Sequence, residues 1–240
     1  ANADRPADEA RALGFAVANE RPGRATLLSR LARVQEKAIG DAAAAFATRL
    51  ELLVVQPSDK SLRKTLEKGA GTREAKGELA DAFCRAADAT PDAELAVELL
   101  ERAAKLVKEG LGDAARGVEI DLKMLARSSS DPARSRAAAH ELEKLLAEMG
   151  RHRERLGVLD RLSTLEETPD ARATVLMTAA RLARDELADA ALTAAYLRRQ
   201  VAEAGDRREA LDMMVDALAD GGDAAELADV LERRARVTDA

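Results

Sequence analysis

The feature that most constrains this chain is that it repeats itself. The strings Ala38-Ile39-Gly40-Asp41-Ala42-Ala43, Gly110-Leu111-Gly112-Asp113-Ala114-Ala115 and Glu186-Leu187-Ala188-Asp189-Ala190-Ala191 recur at offsets of 72 and then 76 residues. Other anchors keep the same step. Pro57-Ser58-Asp59, Ser129-Ser130-Asp131 and Ala204-Gly205-Asp206 are spaced by 72 and 75, and Thr90-Pro91-Asp92-Ala93 returns as Thr168-Pro169-Asp170-Ala171 after 78, with Thr238-Asp239-Ala240 a partial third copy. Ala82-Phe83-Cys84-Arg85, Val158-Leu159-Asp160-Arg161 and Val230-Leu231-Glu232-Arg233 follow at 76 and 72. A chain built this way is an array, in which each unit buries its apolar face against the next.

The anchors are also helix boundaries. Asp or Ser accepts from the free N–H groups of a following first turn, while Gly or Pro ends the helix before it. In the copy from about Asp92 to Asp170 this predicts helices at roughly 92–110, 113–127, 132–149 and 152–167, joined by two to five residues. Connections that short make neighbours antiparallel. The unit of about 74 residues is thus two hairpins, and the whole chain holds about thirteen helices. Within a helix the apolar residues fall three and four apart, as in Leu95, Leu99, Leu100, Ala103, Leu106, Val107 and Leu111. Composition agrees: there are 54 alanines and 33 leucines, the aromatics are only Phe15, Phe46, Phe83 and Tyr196, and isoleucine occurs only at Ile39 and Ile120. Strong helix formers with so few β-branched or aromatic residues predict an all-α fold, an α-solenoid of antiparallel helical hairpins.

A hairpin of this length with small residues at fixed contact points resembles the tetratricopeptide repeat. The matching residues are Leu28, Leu31, Ala32, Ala45 and Pro57 in the first copy, Leu100, Ala103, Ala104 and Gly117 in the second, and Leu176, Ala179, Ala180 and Thr193 in the third. Trp is absent, and Gln35, Val107 and Ala183 stand where the family usually has Tyr. The resemblance implies a right-handed superhelix and one array over residues 1–240, with approximate four-helix units at 22–91, 92–169 and 170–240. The ends at about Pro6–Asn19 and Glu226–Arg236 fall inside the repeat register, as in a piece of a longer protein. The family's groove positions carry over to Arg33 and Glu36; to Glu101, Lys105 and Lys108; and to Met177, Arg181 and Arg184. Arg33, Lys105 and Arg181 form a recurring basic position suited to acidic segments, with Arg offering paired donors to carboxylates. Asparagine-based carboxylate clamps are excluded, since only Asn2 and Asn19 occur.

Charge and cysteine use narrow the function classes. A net charge of −6 opposes the basic field of a nucleic-acid binder. The longest apolar runs, Ala42–Ala47 and Leu52–Val55, are far below the roughly 18 residues that cross a bilayer, so no membrane partner is expected. A lone cysteine, Cys84, forms no internal disulfide and points to a reducing, cytoplasmic setting.

No motif carries recognisable chemistry, so neither cofactor nor metal is expected. Gly110-x-Gly112 and Gly69-Ala70-Gly71-Thr72 lack the strand context and Lys-Ser/Thr ending of phosphate loops. His140-Glu141 is followed by Lys144 where a zinc helix needs its second histidine, and His152 is the only other one. Cys84 lies beside Phe83 with no local histidine to activate it, and Met213-Met214 reads, like Met177, as adaptable core or groove lining. Ser128-Ser129-Ser130-Asp131-Pro132 reads as a helix start with Asp131 as its cap. The expectation is a non-enzymatic scaffold that binds a peptide or protein segment in its groove. The alternative is an assembly module that associates with itself or its parent chain through terminal helices at about 8–19 or 224–236.

Overall fold

The computed structural model describes residues 5–19, 23–127, 131–219 and 223–238. Among them every regular element is helical, and there are thirteen α-helices, as the repeat predicts. They are α1 (Arg5–Asn19), α2 (Arg24–Val34), α3 (Ala42–Val55), α4 (Lys60–Gly69), α5 (Arg73–Ala89), α6 (Ala93–Lys105), α7 (Ala114–Ala126), α8 (Pro132–Glu148), α9 (His152–Leu165), α10 (Pro169–Asp185), α11 (Ala190–Ala204), α12 (Arg208–Ala219) and α13 (Ala224–Thr238). Two of them run on through a wider turn of π type, α2 through Gln35–Ile39 and α6 through Leu106–Leu111.

The chain forms two compact units, residues 1–130 and 131–240. In the first, α1 packs on α2, α2 on α3, α3 on α4 and α5, α5 on α6, and α6 on α7. In the second, each helix from α8 to α12 packs on the one that follows it. Sequence neighbours are therefore spatial neighbours throughout each unit, as short connections require.

The three copies of the repeat string build the same turn. Gly40, Gly112 and Ala188 adopt positive φ of 82°, 67° and 50°. The next residue's N–H then reaches back six residues: Asp41 donates to Gln35 at 2.8 Å, Asp113 to Val107 at 3.2 Å and Asp189 to Ala183 at 3.0 Å. Each of these aspartates also caps the following helix, accepting from the N–H groups of Ala44, Arg116 and Leu192. Asp131 caps α8 in the same way, with Pro132 in the first turn; Ser128–Ser130, singled out beside it in the sequence, and Asp239 and Ala240 of the partial anchor lie outside the described residues.

Behind these turns the repeated small and large apolar positions meet. Leu28, Leu31, Ala32 and Ala45 are buried, and so are Leu100, Ala103, Ala104 and Gly117, and Leu176, Ala179, Ala180 and Thr193. In the first unit Leu28, Leu100, Ala103 and Ala104 join a core around Leu53, Leu66, Leu79, Phe83 and Leu99. Alanine at helix contacts lets backbones approach closely, and leucine supplies most of the buried apolar area.

Ion pairs on the surface record the hairpin length. Arg102 pairs with Glu67 and Arg116 with Asp81, each at 2.5 Å and each 35 residues apart in sequence. Lys123 reaches Asp88 across the same separation at 3.3 Å. In the second unit Arg199 meets Asp160 at 2.5 Å over 39 residues and Arg207 meets Asp170 at 2.7 Å over 37. Each pair is open to solvent and adds little stability, but together they register one hairpin on the next.

Candidate functional site

A cleft of about 510 Å³ opens in the first unit between α4, α5 and the end of α6. Glu67 comes from α4, Lys76 from α5, Arg102 and Lys105 from α6, and Leu106, Glu109 and Gly110 from the wide turn that follows. Gly110 matters by its size: a Cβ there would stand 3.2 Å from Cδ of Lys76, so the bare backbone lets the lysine stem lie across the turn.

The cations of the cleft divide into one that is held and two that are not. Arg102 donates to Glu67 at 2.5 Å and to Glu98 at 3.0 Å. Burial alone would lower the affinity of its guanidinium for a proton, but the hydrogen bonds to Glu67 and Glu98 outweigh that and hold it above its ordinary value. Lys76 and Lys105 have no ion-pair partner among the described residues. Two unpaired ammoniums beside a fixed guanidinium can hold carboxylates.

The residues read from the sequence as groove positions fall into three kinds. Arg33 and Lys105 are exposed and unpaired among the described residues. Glu36, Lys108, Arg181 and Arg184 are already engaged within the chain. Glu36 accepts two hydrogen bonds from Arg49, at 2.6 and 3.1 Å, which hold its carboxyl below the ordinary range; Lys108 pairs with Asp121, Arg181 with Glu209, and Arg184 with Asp185 at 2.6 Å. Glu101 and Met177 are half-buried. Arg33, Glu36, Glu101, Lys105 and Lys108 belong to the first unit, and Met177, Arg181 and Arg184 to the second.

A further set of exposed cations lies outside the groove positions read from the sequence. Lys60, Lys64 and Lys68 occupy one outer face of α4, opposite the buried Leu62, Arg63 and Leu66. The sequence signal for this face is three lysines at four-residue spacing.

Reactive side chains do not converge among the described residues. His140 Nε2 lies 2.7 Å from Glu166 and His152 Nε2 3.5 Å from Glu186, in separate places. Burial pushes the Cys84 thiol up, away from the reactive thiolate. No group of three His, Cys, Asp or Glu that could hold a metal occurs among the described residues, and no described helix is long and apolar enough to cross a membrane. On the helices at either end of the sequence, Phe15 is 73% exposed and Leu231 43%.

No protein-family model matches this sequence, and no curated protein matches it.

Proposed function

We propose that this chain is a non-enzymatic interaction scaffold of tetratricopeptide-like hairpins, working in a reducing cytoplasm and taking a peptide or protein segment along the groove face of its first helices. The observation that carries the reading is the cleft between α4, α5 and α6, where Lys76 and Lys105 stand without ion partners among the described residues while Arg102 is fixed. Regularly stacked helices present side chains at repeating intervals, so several weak contacts to one ligand segment add up. Selection from a random-peptide display library on the immobilised chain tests it. Enriched peptides should bind in solution and lose affinity with the double variant Arg33→Glu/Lys105→Glu. Failure to enrich any peptide, or binding indifferent to that variant, would count against the groove.

A second reading rests on Phe15. An aromatic ring 73% exposed on α1, with Ala12 and Ala18 exposed on the same helix, is an apolar face open to another copy or to the rest of a parent chain. Sedimentation velocity over a concentration series separates the two: self-association through α1 is concentration-dependent and abolished by Phe15→Glu, while groove binding is untouched by that change.

A further inference from the structure

We propose that the lysine face of α4, continued by Lys76 and Lys105 at the adjoining cleft, is a docking surface for an acidic protein segment. This rests on the scaffold reading above and names the chemistry of its partner and a place for it.

The argument begins with compensation. Many surface cations of the first unit are met by carboxylates of neighbouring helices, Arg30 by Glu9, Arg24 by Glu51, Arg49 by Glu36, Arg102 by Glu67, Arg116 by Asp81, and Lys123 and Arg127 by Asp88, while Arg33, Lys37 and Arg85 are exposed without a carboxylate among the described residues. On α4 three such unpaired cations share one face. Lys60, Lys64 and Lys68 are exposed and none meets a carboxylate among the described residues. Residues 60–76 hold six cations, Lys60, Arg63, Lys64, Lys68, Arg73 and Lys76, against the carboxylates Glu67 and Glu74, in a chain whose net charge is −6. Four of these cations, Lys60, Arg63, Lys64 and Lys68, lie on α4 against Glu67 and the capping Asp59, which gives this helix a local positive field within an acidic chain.

Geometry selects the partner. Residues four apart on a helix rise by about 6 Å, so Lys60, Lys64 and Lys68 offer three ammoniums over about 12 Å. Carboxylates four apart on a partner helix, or two apart on an extended strand, repeat at about 6–7 Å. The face leads into the cleft, because Glu67, which follows Lys64 by three residues on α4, lines it together with Lys76 and Lys105. Nucleic acid fits less well. Residues 60–76 supply no aromatic ring on which a base could stack. Ammoniums act as point charges without the paired geometry of arginine, so the binding is of moderate affinity and strongly salt-dependent.

The test uses the full chain and a fluorescein-labelled peptide of alternating glutamate and alanine, long enough to span the roughly 12 Å from Lys60 to Lys68. Its glutamine counterpart and a single-stranded oligonucleotide of equal length accompany it. Anisotropy at low salt should show binding of the glutamate peptide and none of the glutamine peptide. The triple variant Lys60→Gln/Lys64→Gln/Lys68→Gln, whose changes are all at exposed positions, should weaken that binding about tenfold, the sum expected of three exposed ion pairs. Circular dichroism confirms its fold. The proposal is overturned if the glutamate peptide does not bind, if the triple variant binds it as wild type does, or if the oligonucleotide binds more tightly. Display-selected peptides that bind without acidic residues and ignore the triple variant would leave the scaffold reading standing and sink this one. Enrichment of no peptide together with no binding of the glutamate peptide would sink both.

Discussion

Arg63 lies in the seam between α4 and α6 with only 2% of its side chain exposed, its guanidinium 3.5 Å from a carboxylate oxygen of Glu98. Its Nε is buried without a hydrogen-bond partner. Glu98 is shared, since Arg102 also donates to it at 3.0 Å. A buried cation with one distant counter-ion is a costly arrangement, which fixes how the two residues respond to substitution.

Arg63→Met should therefore leave stability unchanged or raise it, because an apolar side chain of similar length removes the desolvation cost while keeping the packing. Glu98→Ala should cost about 2 kcal/mol, more than an ordinary exposed pair, by leaving the Arg63 charge unopposed. Urea unfolding of the two variants checks this. A loss on Arg63→Met as large as that on Glu98→Ala would mean that the pair is stabilising in its own right.

The turn before Asp189 makes a second prediction. Its two sister turns place glycine at the positive-φ position, Gly40 at 82° and Gly112 at 67°, whereas Ala188 takes φ of 50° with a Cβ. A left-handed conformation costs a non-glycine residue about 1–2 kcal/mol, from which the greater freedom of glycine in the unfolded chain subtracts somewhat less. Ala188→Gly should stabilise by about 0.5–1 kcal/mol, and Gly40→Ala should destabilise by about 1 kcal/mol. Opposite shifts in thermal midpoint are the expected sign.

Helices, caps and stacking order were legible because each depends on local chemistry repeated in register: an aspartate after a left-handed residue marks both the end of one helix and the start of the next. The wide turns at Gln35–Ile39 and Leu106–Leu111 were not, since nothing in their composition distinguishes a π turn from α. The candidate site was legible in part. A sequence shows that Arg33 and Arg181 are both basic, but not that Glu209 from a different helix engages Arg181 while Arg33 is unpaired among the described residues. Pairing is a tertiary property, and it decides which cations are available to a ligand.

Gly117 illustrates the same point from the packing side. A Cβ added there would stand 2.6 Å from Cγ of Lys108, whose stem crosses α7 to reach Asp121. Glycine in a helix interior normally costs about 1 kcal/mol relative to alanine. Gly117→Ala alone should recover little of that, because Lys108 must move and its ion pair with Asp121 is disturbed. In a Lys108→Ala background the same change should stabilise by about 1 kcal/mol. Chemical denaturation of the four proteins in this double-mutant cycle reads the coupling directly, and equal effects in both backgrounds would remove the steric explanation.

Acid should release the last helix before the rest of the second unit. Glu226 at the start of α13 accepts from Arg198 on α11 at 2.5 and 2.7 Å, and Asp206, just before α12, accepts from Arg233 of α13 at 3.1 Å. The hydrogen bond and charge of the arginine in each pair hold the carboxyl below its ordinary range. A carboxyl with a depressed value in the folded state contributes stability that is complete above its unfolded-state value and disappears as pH falls through the folded one. Both pairs are exposed and screened, so each contribution is small, but both fasten the same helix. Hydrogen exchange should show the protection of α13 constant from neutral pH to about pH 5 and falling below about pH 4, relative to α10 and α11. With Glu226→Gln and Asp206→Asn combined, α13 should be less protected at neutral pH and lose that dependence on acid. Retention of the same acid transition in the double variant would place its cause in other carboxylates.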